Sequence, residues 1–469
     1  MRNVALKEKL TPKQKEVVDY QGNELLVKGI AGSGKTTVLL RRARKLIESE
    51  KHTKIAIFTY NKTLAKYVRE VAKMLKTDRV KVYTFHQWAY GQLKQLNVWK
   101  YTASEKQKEG LFKDVLKQLA YKRDHRFYKS DEYLMFLMDE ISWIKGKRIK
   151  NKEEYEEVDR SGRGSKVRVT KADRKEIYKL YEAYQIALEK AEKIDFDDYG
   201  VILFENRNSL KKINHILIDE AQDLQQVQLE VLKTVAQESI VIAADKGQKI
   251  YKTSFSWKDI GINVKGGRTK ILKNSFRSTK QIIQLAKSLQ EHDSICKNKD
   301  DEFIEAEIPD TDGVEPVHYN CKNEQVYMKT VITTVKELIA EDPSSTIALL
   351  GRTWKTVFDM DRELKRHGIF GELIKRNEGN ALTPGVKLTT FHSVKGLEFD
   401  NVIILAVNDG EIPLPESGDG NEEEYMDKER RLMYVSMTRA KFMLFLTSYS
   451  SPSHFFKEMS QHYYRKEDC

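Results

Sequence analysis

Cysteine is scarce: Cys296, Cys321 and Cys469 are the only three in 469 residues, and no CxxC pair exists. An iron–sulfur cluster or a cysteine-rich zinc site is therefore not expected, and idle thiols in a reducing compartment fit better. With 8 prolines and 24 glycines the chain is neither collagen-like nor disordered. Its longest apolar runs, such as Val402–Val407, are far too short to span a bilayer. Met1–Leu10 holds no apolar signal core. A membrane partner is not expected, and a cytoplasmic location is. Fixed-period repeats and low-complexity tracts are missing too.

What is present is charge. Lysine and arginine number 82 against 70 acidic residues, a net charge of +12, with 32% charged and 40% hydrophobic residues. The balance is that of a soluble globular protein of two to four domains, at roughly 100–200 residues each. A basic excess points either to a polyanion such as nucleic acid or simply to solvated lysines.

Short β-rich runs recur at Glu24–Lys28, Lys54–Tyr60, Lys81–Phe85, His215–Asp219 and Ser239–Asp245, with helices such as Thr36–Ser49 between them. Apolar strands alternating with helices predict a parallel sheet covered on both faces. A lysine- and glutamate-rich helical stretch interrupts this pattern and reads as an insertion. A second α/β region follows, with candidate strands Val314–Tyr319, Thr346–Leu350, Val386–Phe391, Val402–Val407 and Phe442–Thr447. Within the insertion, Arg160–Arg168 is a Gly/Ser loop with four basic residues. It reads equally as a tracker of phosphates or as a solvated loop.

Gly29-Ile-Ala-Gly32-Ser-Gly34-Lys35-Thr36 fits G-x-x-x-x-G-K-[ST], after a strand and opening a helix. Its glycines let backbone N–H groups approach phosphate oxygens, and the helix N-terminus adds positive potential. Lys35 is expected to reach the β- and γ-phosphates and Thr36 to ligate Mg²⁺. The strand His215–Asp219 ends in Asp219-Glu220: Asp219 suits Mg²⁺, and Glu220 suits orienting and deprotonating water. Gln248, after the next strand, could contact the γ-phosphate. No guanine-reading Asn-Lys-x-Asp exists, which disfavours a small GTPase.

The chain resembles the UvrD/Rep-like helicases of superfamily 1, with the motifs in family order. Leu10-Thr-Pro-Lys-Gln14 resembles the Q motif. Ile57–Lys62 and Thr84-Phe85-His86 resemble motifs Ia and Ib, and Ile194–Asp198 the DFxDL segment. Asp219-Glu-Ala-Gln-Asp223 resembles motif II, Gln248–Tyr251 motif III, and Leu272–Ser278 motif IV. Thr390–Phe399 resembles motif V, and Glu429–Ala440 motif VI.

The resemblance implies two RecA-like domains with parallel sheets and ATP in the cleft between them. The expected division is 1–90 and 194–270 for the first domain (1A), 91–193 for its helical insertion (1B), and 271–469 for the second (2A). Lys35, Glu220, Gln248, Arg277 and Arg439 are the implied catalytic residues. Gln14, Gly29, Gly32, Gly34, Lys35, Thr36, Thr37, Phe276 and Glu398 are the implied nucleotide contacts, with Thr36 and Asp219 for Mg²⁺. A nucleic-acid track is implied along Thr59, Tyr60, Asn61, Thr84, His86, Trp257 and His392. Trp257 would stack on a base, or else belongs to the core.

Some positions depart from the family. Thr37 replaces an Arg that stacks on adenine, with Arg41 or Arg42 as substitutes, and Phe276 replaces a Tyr. Only 113 residues separate Arg277 from Thr390, so the family's second insertion, 2B, is expected to be absent or vestigial. No appended nuclease domain is expected either. The implied function is an ATP-dependent helicase or translocase on single-stranded DNA, 3′→5′, with RNA not excluded. The alternatives are a motor subunit or protein-stripping translocase needing a partner such as a nuclease, and an ATP-switched nucleic-acid sensor in defence.

Overall fold

Near-continuous apolar runs become strands buried on both faces, because helices cover a parallel sheet above and below. The computed structural model describes residues 9–60, 62–75, 77–160, 167–245, 257–264, 266–297, 304–375, 380–381, 383–415 and 422–469. Among these, six parallel strands build the first sheet: β1 (Glu24–Gly29), β2 (Ile55–Thr59), β3 (Val80–Thr84), β4 (Ile213–Ile218), β5 (Ala236–Ala244) and β6 (Thr269–Leu272). Their order is β3-β2-β4-β5-β1-β6. The strands carrying the phosphate loop and the Asp219-Glu220 pair are thus separated by β5 alone, with every carboxyl end at one edge.

Seven parallel strands build the second sheet: β7 (Val317–Cys321), β8 (Thr346–Gly351), β9 (Glu372–Leu373), β10 (Gly385–Thr390), β11 (Phe399–Ile404), β12 (Ala440–Tyr449) and β13 (Arg465–Asp468). The order is β9-β10-β8-β11-β12-β7-β13. The described elements between Arg277 and Thr390 are strands of this sheet or helices of its half, and none forms a separate body. This is the mixed α/β architecture with two parallel sheets that the motifs imply.

Two expected boundaries move. Lys28 pairs with Ile271 and Gly29 with Leu272, so the first sheet runs two residues past 270. The helix Phe85–Gln95 belongs to the first sheet's half, because Leu93 is fully buried in that core beside Phe58 and Trp88. The insertion therefore starts beyond residue 95 rather than at 91.

The insertion has its own core around Phe112, Leu137, Tyr155, Ile177 and Tyr184. Its long helices are Glu105–Lys122, Leu134–Lys147 and Lys171–Lys190. At its root Tyr101–Thr102 pairs with Lys193–Ile194. There the fully buried Lys145 Nζ lies 2.8 Å from Asp195 Oδ2 and 2.7 Å from Asp198 Oδ1. The carboxylates outweigh burial and hold that lysine charged. Of the loop Arg160–Arg168, residues 161–166 lie outside the described residues. Arg160 itself contacts the buried Glu140 and so turns inward.

Candidate functional site

The phosphate loop turns on two glycines in the left-handed region, Gly32 (φ 72°) and Gly34 (φ 81°). A Cβ on Gly32 would sit 2.6 Å from Ser275 Oγ and 2.8 Å from Arg277 Cβ. Only a glycine lets the entry to the second half approach this closely, and Phe276 N donates to Gly32 O at 2.9 Å. The helix Lys35–Ser49 starts directly after Gly34, so its free N–H groups face the loop.

Lys35 is buried. Its Nζ donates to Gly29 O (2.8 Å) and Ile30 O (2.9 Å) and lies 3.5 Å from Asp245 Oδ2. Thr36 Oγ1 donates to Asp219 Oδ2 at 2.5 Å. That contact brings the two expected Mg²⁺ ligands together across the first sheet.

Asp219 and Glu220 are both buried. Burial, followed by the neighbouring Glu220 charge, lifts the Asp219 carboxyl to about 6. Burial pushes Glu220 the same way, but Lys395, Lys35 and Arg439 outweigh it and hold that carboxyl below its usual range. The pair is thereby split into a proton-prone member and an ionised one. Glu220 also adopts φ 53°, a left-handed conformation that a β-bearing residue reaches only under constraint. Gln222 Nε2 donates to Glu220 Oε2 at 2.5 Å, and Gln222 Oε1 accepts from Asp245 N at 3.0 Å.

The second sheet supplies the cations. Lys395 Nζ lies 2.6 Å from Asp223 Oδ2 and 3.7 Å from Glu220 Oε2. Arg439 is buried, its Nε donating to Val435 O at 2.7 Å. Burial and the nearby Arg277 lower its pKa to about 9. Arg277 Nη2 donates to Glu398 Oε1 at 3.0 Å. Burial raises the Glu398 carboxyl, but Arg277 and Lys441 draw it below its usual range.

Whether ATP and Mg²⁺ suit these residues is tested by orphaned groups. Ser33 Oγ, Ser275 Oγ and Arg277 Nε are buried beside the loop without hydrogen-bond partners. Polar atoms left unpaired around a glycine cradle, with Thr36 and Asp219 already in contact, fit a phosphate chain and a hard cation.

The expected nucleotide contacts Gln14, Thr37 and Phe276 lie around the phosphate loop. Gln14 Oε1 accepts from Thr11 N (3.0 Å), and its Nε2 donates to Ser33 O (3.1 Å). The side chain caps the helix Pro12–Asp19 and braces the loop. Arg42 is buried and caps that helix's other end, donating to Val17, Val18 and Tyr20 carbonyls, so it is no substitute for the stacking arginine. Phe276 is 55% exposed, an open ring beside the loop. Thr37 is half-buried on the helix's first turn.

The strand-binding candidates divide. Thr59 and Thr84 are buried at the carboxyl ends of β2 and β3, and Tyr60 packs partly on the core. Thr84 caps its helix through Gln87 N. His86 lies edge-on to Phe196 at 5.4 Å, and burial lowers its pKa. His392 is held neutral, its pKa lowered to about 4 by burial and by Arg352. Trp257 is only 8% exposed and packs with Ile260 and Ile262 in the first core, which favours the packing reading. Asn61 and Gln248, with the rest of the motif III stretch to Tyr251, lie outside the described residues.

Lys395 falls inside motif V and Asp223 inside motif II, and neither carries an expected role from the sequence. The signal was their charge: a lysine and an aspartate in two segments already assigned to opposite walls of one cleft.

The UvrD/REP helicase N-terminal domain matches residues 10–259, and the UvrD-like helicase C-terminal domain matches 372–451. A probable DNA helicase of Mycoplasma pneumoniae is 24% identical over 96% of this chain and 87% of its own length. The putative ATP-dependent DNA helicase YjcD of Bacillus subtilis is 27% identical over 73% of this chain and 46% of its own. A probable DNA helicase II homolog of Mycoplasma capricolum is 26% identical over 66% of this chain and 44% of its own. The chain thus spans less than half the length of these last two relatives. Among solved structures, the C-terminal domain of a possible DNA helicase from Lactobacillus is similar over 41% of this chain, at 22% identity and a TM-score of 0.31. With its motifs in order on two parallel sheets and a family match over more than half its residues, the chain belongs to the UvrD/Rep family of ATP-dependent DNA helicases.

Proposed function

We propose that this chain is a motor on single-stranded DNA that hydrolyses ATP between its two sheets and moves 3′→5′. The observation that carries the reading is Lys395. It projects from the second half into the first, where it pairs with Asp223 beside the water-activating candidate Glu220. Opening the cleft would unpair it, so hydrolysis and domain closure share one switch.

In this reading the phosphate-loop amides and Lys35 hold the phosphate chain. Glu220, kept ionised, orients water and takes its proton. Arg277 and Arg439 neutralise charge developing on the transferring phosphoryl group. Thr36 and Asp219 would hold Mg²⁺, which supplies charge neutralisation when bound. Glu398 would release Arg277 to reach a ribose. Thr59, Tyr60, Thr84, His86 and His392 lie at the carboxyl ends of their sheets, where a strand would cross both halves. The working division is a first core domain interrupted by the helical insertion, then a second core domain.

The test is strand displacement on duplexes with a 3′ or a 5′ single-stranded tail. Displacement from the 3′ tail alone supports the reading, and displacement from the 5′ tail alone overturns the polarity.

A second reading is favoured by the lack, among the described residues, of a separate body between Arg277 and Thr390. It is a motor that translocates or strips bound protein but unwinds only with a partner. Translocation without displacement, restored by a partner such as a nuclease, would select it.

A further inference from the structure

We propose a second nucleic-acid contact, an aromatic and cationic platform of Tyr90, Lys94, Trp99 and Tyr101. It takes bases of a single strand beyond the two-sheet track, at the root of the helical insertion. The proposal rests on the reading of this chain as a single-strand motor.

The helix Phe85–Gln95 begins at the carboxyl end of β3, and His86, Tyr90 and Lys94 follow at i, i+4 and i+8. That spacing puts the three on one helical face, each about 6 Å further along the axis. The chain then returns beside this face through Trp99 and Tyr101. The Tyr90 and Trp99 rings lie 5.9 Å apart, and those of Trp99 and Tyr101 4.8 Å. Lys94 Nζ is 4.5 Å from the Tyr90 centroid and 5.2 Å from that of Trp99.

The two tyrosines are open, Tyr101 at 69% and Tyr90 at 39% exposed, while Trp99, in contact with both, is half-buried against the first core. Rings needed only for the core would be covered. The platform also joins the track. Thr102, next to Tyr101, shares a 2.6 Å hydrogen bond with Tyr199 OH. Tyr199 lies 5.8 Å from His86 and 5.7 Å from the exposed ring of Phe196.

Charge identifies the occupant. From Arg79 to Ser104 the sequence has no acidic residue, while Lys94 lies over the Tyr90 and Trp99 rings and Lys100 stands between Trp99 and Tyr101 in sequence. Exposed rings with a lysine over two of them suit a polyanion with stackable faces, namely single-stranded nucleic acid. A basic protein surface would instead be repelled.

The test compares the full chain with the Tyr90→Ala/Tyr101→Ala double variant, binding homothymidine oligonucleotides of increasing length at fixed low salt. Wild-type affinity should rise through a length at which the variant no longer gains, leaving it about tenfold weaker on long strands. Both should bind the shortest ATPase-stimulating oligonucleotide equally. Lys94→Ala should lower the salt dependence on long strands by about one phosphate contact. An identical length profile overturns the platform, as does an equal loss at every length. If wild type binds no oligonucleotide of any length, the motor reading has failed instead. If the variant keeps its DNA profile but loses a protein partner, the platform serves protein and the proposal is wrong.

Discussion

Lys395 Nζ and Asp223 Oδ2 approach to 2.6 Å across the cleft, both side chains almost fully buried. The pair ties motif V of one sheet to motif II of the other, and Glu220 Oε2 stands 3.7 Å from the same ammonium. A buried cation between two carboxylates is costly to remove, because it leaves them unpaired.

Lys395→Met should therefore lower stability by about 3–5 kcal/mol. It should also release the Glu220 carboxyl upward, since Lys395 is the leading charge holding it down. A group with a depressed pKa stabilises the fold above its unfolded value and loses that as pH falls. The variant's ATPase should accordingly need higher pH, with its acidic limb shifted upward. An unmoved pH profile would detach Lys395 from Glu220.

Lys35→Ala and Glu220→Gln should each reduce ATP turnover by about 100-fold or more. They should differ in binding. Glu220→Gln keeps the phosphate loop and should retain a fluorescent ATP analogue, whereas Lys35→Ala should lose most of its affinity. Normal turnover in either variant would contradict the site assignment.

The raised carboxyl of Asp219 gives a stability signature. A carboxyl raised to about 6 stabilises the fold below its unfolded value near 3.8, and that stability is lost as pH rises through 6. Asp219→Asn removes the penalty. Without nucleotide it should melt a few degrees above wild type at pH 7.5 and about level with it at pH 4.5, while ATP turnover disappears. Equal melting at both pH values would mean that Asp219 carries no such strain.

Trp257→Ala should act as a core truncation, costing about 3–5 kcal/mol, with Trp257→Phe recovering part of it. DNA-stimulated ATPase per folded molecule should be unchanged. Full stability with weakened DNA affinity would return Trp257 to base stacking.

The phosphate loop, the Asp219-Glu220 pair and both sheets were legible because each leaves a local signature: glycines at fixed spacing, carboxylates after an apolar strand, short apolar runs. Trp257 was readable either as a base stacker or as core, and it packs with Ile260 and Ile262 in the first core. Gln14 as a helix cap is readable from the Thr11-x-x-Gln14 spacing. Its brace to Ser33 O, and Arg42's capping of the Val17, Val18 and Tyr20 carbonyls, were illegible because the partners are backbone atoms that sequence does not distinguish. The insertion boundary moved because Leu93 packs into the first core from a helix that sequence alone divided.

The most direct test of the central claim is the ATPase rate of the full chain at fixed low salt, measured with no polynucleotide, single-stranded DNA, duplex DNA and single-stranded RNA. Single-stranded DNA should stimulate the rate strongly and duplex little. A rate that no polynucleotide changes would contradict a cleft whose closure is coupled to a bound strand.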